Sequence, residues 1–335
     1  MTLMKYFLFA AISIALWTSG PTRAQFMSSC AQNDKIEPVK RQAIQATAFD
    51  FSSSVVAQRA DSAYDMLTAE AKRDTSHQEF QAVVQQIAKL FGKLTEVSVR
   101  DVYLSKVVGI VPLQVVCGDD LSRPQGWVAV SVKDVSEQAH VIVETRAVNN
   151  TLVLTLWLIP EKSVWRVHHF HANVSTLADK SVEDIWLLAR RENAKGHAFN
   201  SWVLLAAAAQ IGFRGPHFQL GLQQAIQEDL RQFTPPAEIQ GQAPYQWKTK
   251  NRVFRILQVG PIAIGGKVYL SIAHETEPWS KDEQAEQWNQ ELIRFFSGRF
   301  PEYSEVFAGL VVRAHERGGT RGFGTVREVT PGSGR

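Results

Sequence analysis

The chain has little cysteine: only Cys30 and Cys117 occur in 335 residues. No closely spaced Cys pair exists, so a structural zinc module is excluded. The recurrent catalytic motifs are missing too. There is no Gly-x-Ser-x-Gly elbow, no His-Glu-x-x-His, and no P-loop ending in Lys-Ser/Thr. Charge of one sign is not in excess, since 36 basic residues face 33 acidic ones. Without a basic block there is no footprint for nucleic acid, nor for a strongly charged membrane surface. After the first 20 residues no long apolar run recurs, so no membrane span is expected in the mature chain. At 45% hydrophobic and 21% charged, the composition is that of a globular protein. Its length fits about two domains at roughly 150 residues each.

Residues 1–24 read as a signal peptide. Lys5 supplies a positive start, Tyr6 to Trp17 form an apolar stretch, and Thr22-Arg23-Ala24 suits cleavage after Ala24. An uncleaved anchor is the alternative, although the stretch is short for a span. A lipoprotein reading at Cys30 is opposed by its poor Met27-Ser28-Ser29-Cys30 box. Export, to a periplasm or to the outside, is therefore expected. In such a compartment Cys30 and Cys117 are candidates for one disulfide, with a buried free thiol at Cys117 as the competing expectation.

The pattern predicts an α+β fold. Pro38 opens a helix whose apolar stripe is Ile44, Ala48, Phe51 and Val55. A short helix over 61–67 follows. Ser76 and Glu79 then form a capping box before a stripe of Phe80, Val83, Val84, Ile87 and Leu90. Three helices thus precede a run of strands at 95–106, 127–135, 141–148, 151–159 and 163–173, with a turn at Pro160-Glu161-Lys162. Residues 180–235 read as a helical connector: one tetratricopeptide-like hairpin around Gly196 plus a further helix, stopped by Pro235-Pro236. Residues 245–330 read as a small ββαββ module. It has a hairpin turn at Gly265-Gly266, a second capping box at Ser280 and Glu283, and a helix stripe of Ala285, Trp288, Leu292 and Phe295 closed by Gly298.

Two segments carry a resemblance. Ala63-Tyr64-Asp65-Met66-Leu67-Thr68, with Ser76 and Phe80, resembles the second and third helices of the nuclear-transport-factor-2-like (NTF2-like) superfamily. Trp165-Arg166-Val167-His168-His169-Phe170-His171 resembles the final strand of its SnoaL-like members. The resemblance spans 38–175 and implies helices packed on a curved antiparallel sheet with a pocket between them. The chain departs from that pattern at Asn173 and in an insertion from Gly109 to Gln125. The superfamily holds both enzymes and non-catalytic binding domains.

Strand alternation puts Trp165, His169 and His171 on one face, and His168 and Phe170 on the other. With Tyr64, the residues Trp165, His169 and His171 are the candidate ligand pocket, expected on the concave side beside the helices. Two His at i and i+2 suit zinc or acid–base work, but no third ligand or carboxylate partner is apparent, so neither metal nor cofactor is expected. Gly318 to Gly324 with Arg321 offers an anion cradle or, more simply, a hairpin turn. The incomplete catalytic set points first to a non-catalytic exported protein binding a small ligand or an envelope partner. The alternative is a SnoaL-like small-molecule enzyme using the pocket histidines for acid–base chemistry.

Overall fold

A computed structural model describes residues 28–329 except 93, 110, 148 and 149. The segment read as a signal peptide lies outside the described residues. The chain runs β1 (Ser29–Gln32), α1 (Pro38–Val56), α2 (Ala60–Asp65), α3 (Ala69–Asp74), α4 (His77–Phe91), β2 (Thr95–Lys106), β3 (Gln114–Gly118), β4 (Trp127–Ser131), β5 (Glu137–Arg146), β6 (Thr151–Glu161) and β7 (Val164–Val174). A two-stranded turn, β8 (Thr176–Leu177) and β9 (Lys180–Ser181), leads to α5 (Val182–Ala194) and α6 (Ala198–Gly212). Then come β10 (Phe218–Leu220), α7 (Gly221–Gln232), β11 (Tyr245–Lys248), β12 (Val253–Ile264), β13 (Lys267–Thr276), α8 (Asp282–Arg299), β14 (Gly309–Glu316) and β15 (Gly322–Glu328).

The fold is α+β: amino-terminal helices on a curved antiparallel sheet, a helical connector and a carboxy-terminal β-rich module. The first sheet has the order β1-β2-β5-β6-β7, all antiparallel. One of its faces is closed by α1–α4. Ile44, Ala48, Phe51 and Val55 of α1, all at one helical stripe, bury themselves against Val141, Val143, Leu154, Leu156 and Val167. Four helices open the fold where the pattern predicts three. Thr68 caps the extra one, α3, by accepting from the Ala71 backbone N–H at 3.1 Å. The Ser76–Glu79 capping box is present at α4.

The other face of the sheet carries a second, three-stranded sheet of order β10-β4-β3. Tyr103, Ile142 and Val153 meet Val115, Val128, Val130 and Phe218 there in a separate small core. Cys30 on β1 and Cys117 on β3 are joined by a disulfide across these two layers.

The third core is the largest. Ile185, Phe199, Leu205 and Ala208 of the α5–α6 hairpin share it with Trp247, Leu270, Ile272, Phe296 and Leu310. The connector thus packs as one layer on the carboxy-terminal sheet, whose order is β11-β12-β13-β14-β15; the module is therefore βββαββ rather than the expected ββαββ, because Tyr245–Lys248 adds a strand that pairs with β12. β13 and β14 are parallel, joined through α8. Their pairing needs a long crossover, which a helix supplies.

Several boundaries depart from the sequence pattern. The β6–β7 turn lies at Lys162-Ser163, both with positive φ, so Pro160 and Glu161 remain in the strand. No capping box forms at Ser280, because α8 starts one residue later with Lys281 at its N-cap and no side-chain cap. Gly298 does not end α8, which runs through it to Arg299. Gly265 and Gly266 do take the positive φ of a tight hairpin turn.

Candidate functional site

The geometry of the site depends on β7. This outer strand pairs with β6 so that Trp157 faces His169 and Leu158 faces Val167, leaving His168 as an extra residue. An extra residue is a β-bulge, and it reverses which side chains face which way beyond it. Trp165 and Val167 pack toward the helices before the bulge; Phe170 and Ala172 do so after it. Phe170 sits between Phe51 and Phe80 with ring centroids 5.3 and 5.7 Å away. The expectation that Trp165, His169 and His171 share a face is therefore corrected. His169 and His171 also do not stand on the helix-covered side. They lie on the opposite face, under the segment joining α6 to β10.

That segment brings in residues the sequence did not flag. His217 meets His169 edge to face at 4.7 Å, and Phe213 meets His171 at 5.0 Å. Gly215, at φ +98°, passes so close that a Cβ there would lie 2.8 Å from the His171 Cβ. Below them runs a cross-strand row, with Tyr103, His140, Trp157 and His169 standing opposite one another on β2, β5, β6 and β7. His140 stacks on Trp157 at 5.2 Å, and His168 and His217 contact the same indole at 4.9 and 5.0 Å. The only sequence signal for this cluster was the residue type itself. His140 and His217 lie far apart in the chain, and only strand pairing together with the loop before β10 joins them.

Electrostatically the cluster is held neutral. Burial, and then the neighbouring histidines, push His140 down to about 3 and His169 down to about 4. Burial also lowers His168, His171 and His217. Both ring nitrogens of His140 are buried without a hydrogen bond. His168 is the hydrogen-bonded member. Its Nδ1 is 3.4 Å from Thr68 Oγ1, and its Nε2 is 3.4 Å from Lys133 Nζ, which is paired with Glu70 at 2.5 Å. An ammonium can only donate, so Nε2 accepts and the proton sits on Nδ1. His169 and His171 make ring contacts but, among the described residues, no side-chain hydrogen bond, which leaves their nitrogens open to a ligand.

A cleft of about 500 Å³ runs along the outer edge of β7, against α4. Because it wraps an edge strand, it reaches side chains of both faces: Phe170 and Ala172 from one, His169 and His171 from the other. Its far wall is apolar and comes from α4. Val83 and Leu90, expected in the buried stripe, are instead exposed there, at 40% and 66%. The size and lining suit a small apolar molecule. Tyr64 is not brought to this cleft. Its hydroxyl lies 3.3 and 3.2 Å from the carbonyl oxygens of Lys72 and Thr75, and its ring packs on His77 and Phe80. Trp165 likewise remains with the helix-side core.

A second titratable cluster lies at the α5–α6 turn. Ligand-type atoms of Glu192, His197 and Glu305 come within 4.8 Å of one another. Lys195 Nζ already bridges the two carboxylates, at 3.0 and 2.9 Å. His197 Nδ1 and Asn200 Nδ2 each reach Glu192 Oε2 at 2.9 Å. Burial pushes the Glu192 carboxyl up, but the three hydrogen bonds outweigh it and hold it below the usual range. The donor set suits acid–base work or a divalent cation, and a cation would have to displace the ammonium. At the glycine-rich turn, Arg321 is spent on Asp282 and on the Trp279 carbonyl, both at 2.6 Å. The turn fits the hairpin reading.

No known family matches this chain, and no curated protein does. Among solved structures, a protein of unknown function from Mycobacterium tuberculosis is similar at 15% identity, over 54% of this chain and 98% of that one, with a TM-score of 0.24. Likeness at that level supports no argument about fold or activity.

Proposed function

We propose that this protein is exported and acts on a small, largely apolar molecule bound in the cleft between α4 and β7, with His169 and His171 exchanging protons or hydrogen bonds with it. The observation that carries this reading is the pair of neutral imidazoles with open nitrogens beside an apolar wall. The layout of helices on a curved sheet agrees with what the SnoaL-like resemblance implies. The disulfide and the apolar, Lys5-led amino terminus support export to an oxidising compartment.

A binding role without chemistry is the second reading, and one observation favours it. Among the described residues no carboxylate orients His169 or His171, and a base pushed down to about 4 is weak at neutral pH. Native mass spectrometry of protein from its own host, followed by incubation with the recovered ligand, separates the two. A ligand converted by the native chain but not by His169→Ala supports acid–base chemistry. A ligand bound and returned unchanged supports binding alone. Ligand retention unaffected by filling the cleft with Val83→Trp would refute both.

A further inference from the structure

A second cavity, of about 510 Å³, lies where the first sheet, the small sheet and the start of α5 meet, and it shares no lining residue with the cleft. Arg214 forms part of its wall and is only 7% exposed. Burying a guanidinium is costly unless an anion accompanies it. Yet Arg214 makes no ion pair among the described residues. Its Nη1 donates to the backbone carbonyls of Ile211 and Phe213, at 2.5 and 3.3 Å. Nε and Nη2 have no protein acceptor among the described residues. They are adjacent donors on one edge of the guanidinium, the spacing that a carboxylate accepts two-pronged.

The acids nearby are already committed. Glu144 Oε2 accepts from Arg100 Nη1 at 3.0 Å, Glu183 from Gln125 at 2.8 Å, and Asp101 from Asn33 at 3.0 Å. They leave the cavity with one unpaired cation at depth and carboxylates toward its rim. That pattern admits a single negative charge and repels a multiply charged one. Burial lowers Arg214, to about 10, against the Glu144 carboxylate, which raises it without an ion-pair contact, so it remains a cation at neutral pH.

We propose that this cavity binds a small monocarboxylate, gripped by Nε and Nη2 of Arg214. Three probes test this on the full chain: benzoate, its neutral isostere benzamide, and inorganic phosphate, each titrated by calorimetry. Benzoate binds at least tenfold more tightly than benzamide or phosphate. Arg214→Met lowers benzoate affinity at least tenfold without lowering the thermal midpoint, because it removes an unpaired buried charge. Arg214→Lys also weakens benzoate at least tenfold, because a point charge cannot reproduce the two-pronged grip. Benzoate binding no better than benzamide overturns the proposal, as does tighter phosphate binding or unchanged affinity in Arg214→Met. Should Arg214→Met fail to fold, the wild-type comparison of the three probes and Arg214→Lys still decide it.

Discussion

Cutting the Cys30–Cys117 bridge should weaken the amino-terminal half of the molecule and leave the rest alone. The bridge joins β1, at the rim of the first sheet, to β3, at the rim of the second, and closes a loop with a sequence separation of 87. A cross-link restricts the unfolded chain, and for a loop of this length chain entropy assigns about 4.6 kcal/mol at 25 °C. With a urea dependence of about 3 kcal/mol per molar, that is a midpoint lower by about 1.5 M. Cys30→Ser with Cys117→Ser would also bury a hydroxyl at 117, so the cleaner perturbation is the wild type under reductant, which keeps both sulfurs. The assay is urea unfolding with two reporters. Trp127, Trp157 and Trp165 report the bridged half; hydrogen exchange at β13 and β14 reports the core that Trp247 and Phe296 share with α5 and α6. The bridged half should lose its structure at lower urea, with exchange in β13 and β14 unchanged. A midpoint shift below about 0.3 M, or two reactive thiols in the unreduced protein, would refute the reasoning.

Other perturbations have defined outcomes. Gly215→Ala forces a side chain onto a backbone at φ +98° and into the His171 Cβ, so it should cost about 1–3 kcal/mol and raise solvent exchange at His171, read by histidine NMR. The buried histidines are depressed, so the unfolded chain binds more protons below pH 6.5. Stability should be full above that pH and fall as pH drops toward about 4 and then about 3, measured by urea midpoints across pH. His140→Leu removes two unsatisfied nitrogens and should flatten part of that slope without loss of stability at pH 7; a slope identical to wild type would count against the assignment. In the carboxy-terminal core, Asn289 links His274 at 2.7 Å to Thr325 at 3.0 Å, all buried. Asn289→Ala should cost about 2–4 kcal/mol there and not shift the amino-terminal transition.

What a one-dimensional pattern can carry is periodicity and punctuation, and there the chain was legible. The α1 stripe, the Ser76 capping box, the full extent of β2 and the Gly265-Gly266 turn depend on neighbours within a few residues, whereas the short elements β1, α3, β3, β10 and β11 left no such periodic signal. The face on which β7 presents its histidines was not legible. Alternation holds only until a bulge, and the bulge at His168 arises from how β6 pairs with β7, which no local spacing records. Val83 and Leu90 show the same limit. They sit on the apolar stripe of α4, but β7 ends the sheet there, so no further strand covers them. Arg214 and His217, in the segment joining α6 to β10, acquired chemical meaning only because that segment folds back over the outer face of the first sheet. Burial of a charge and the meeting of five histidines are sums over distant strands, and only the tertiary structure decided them.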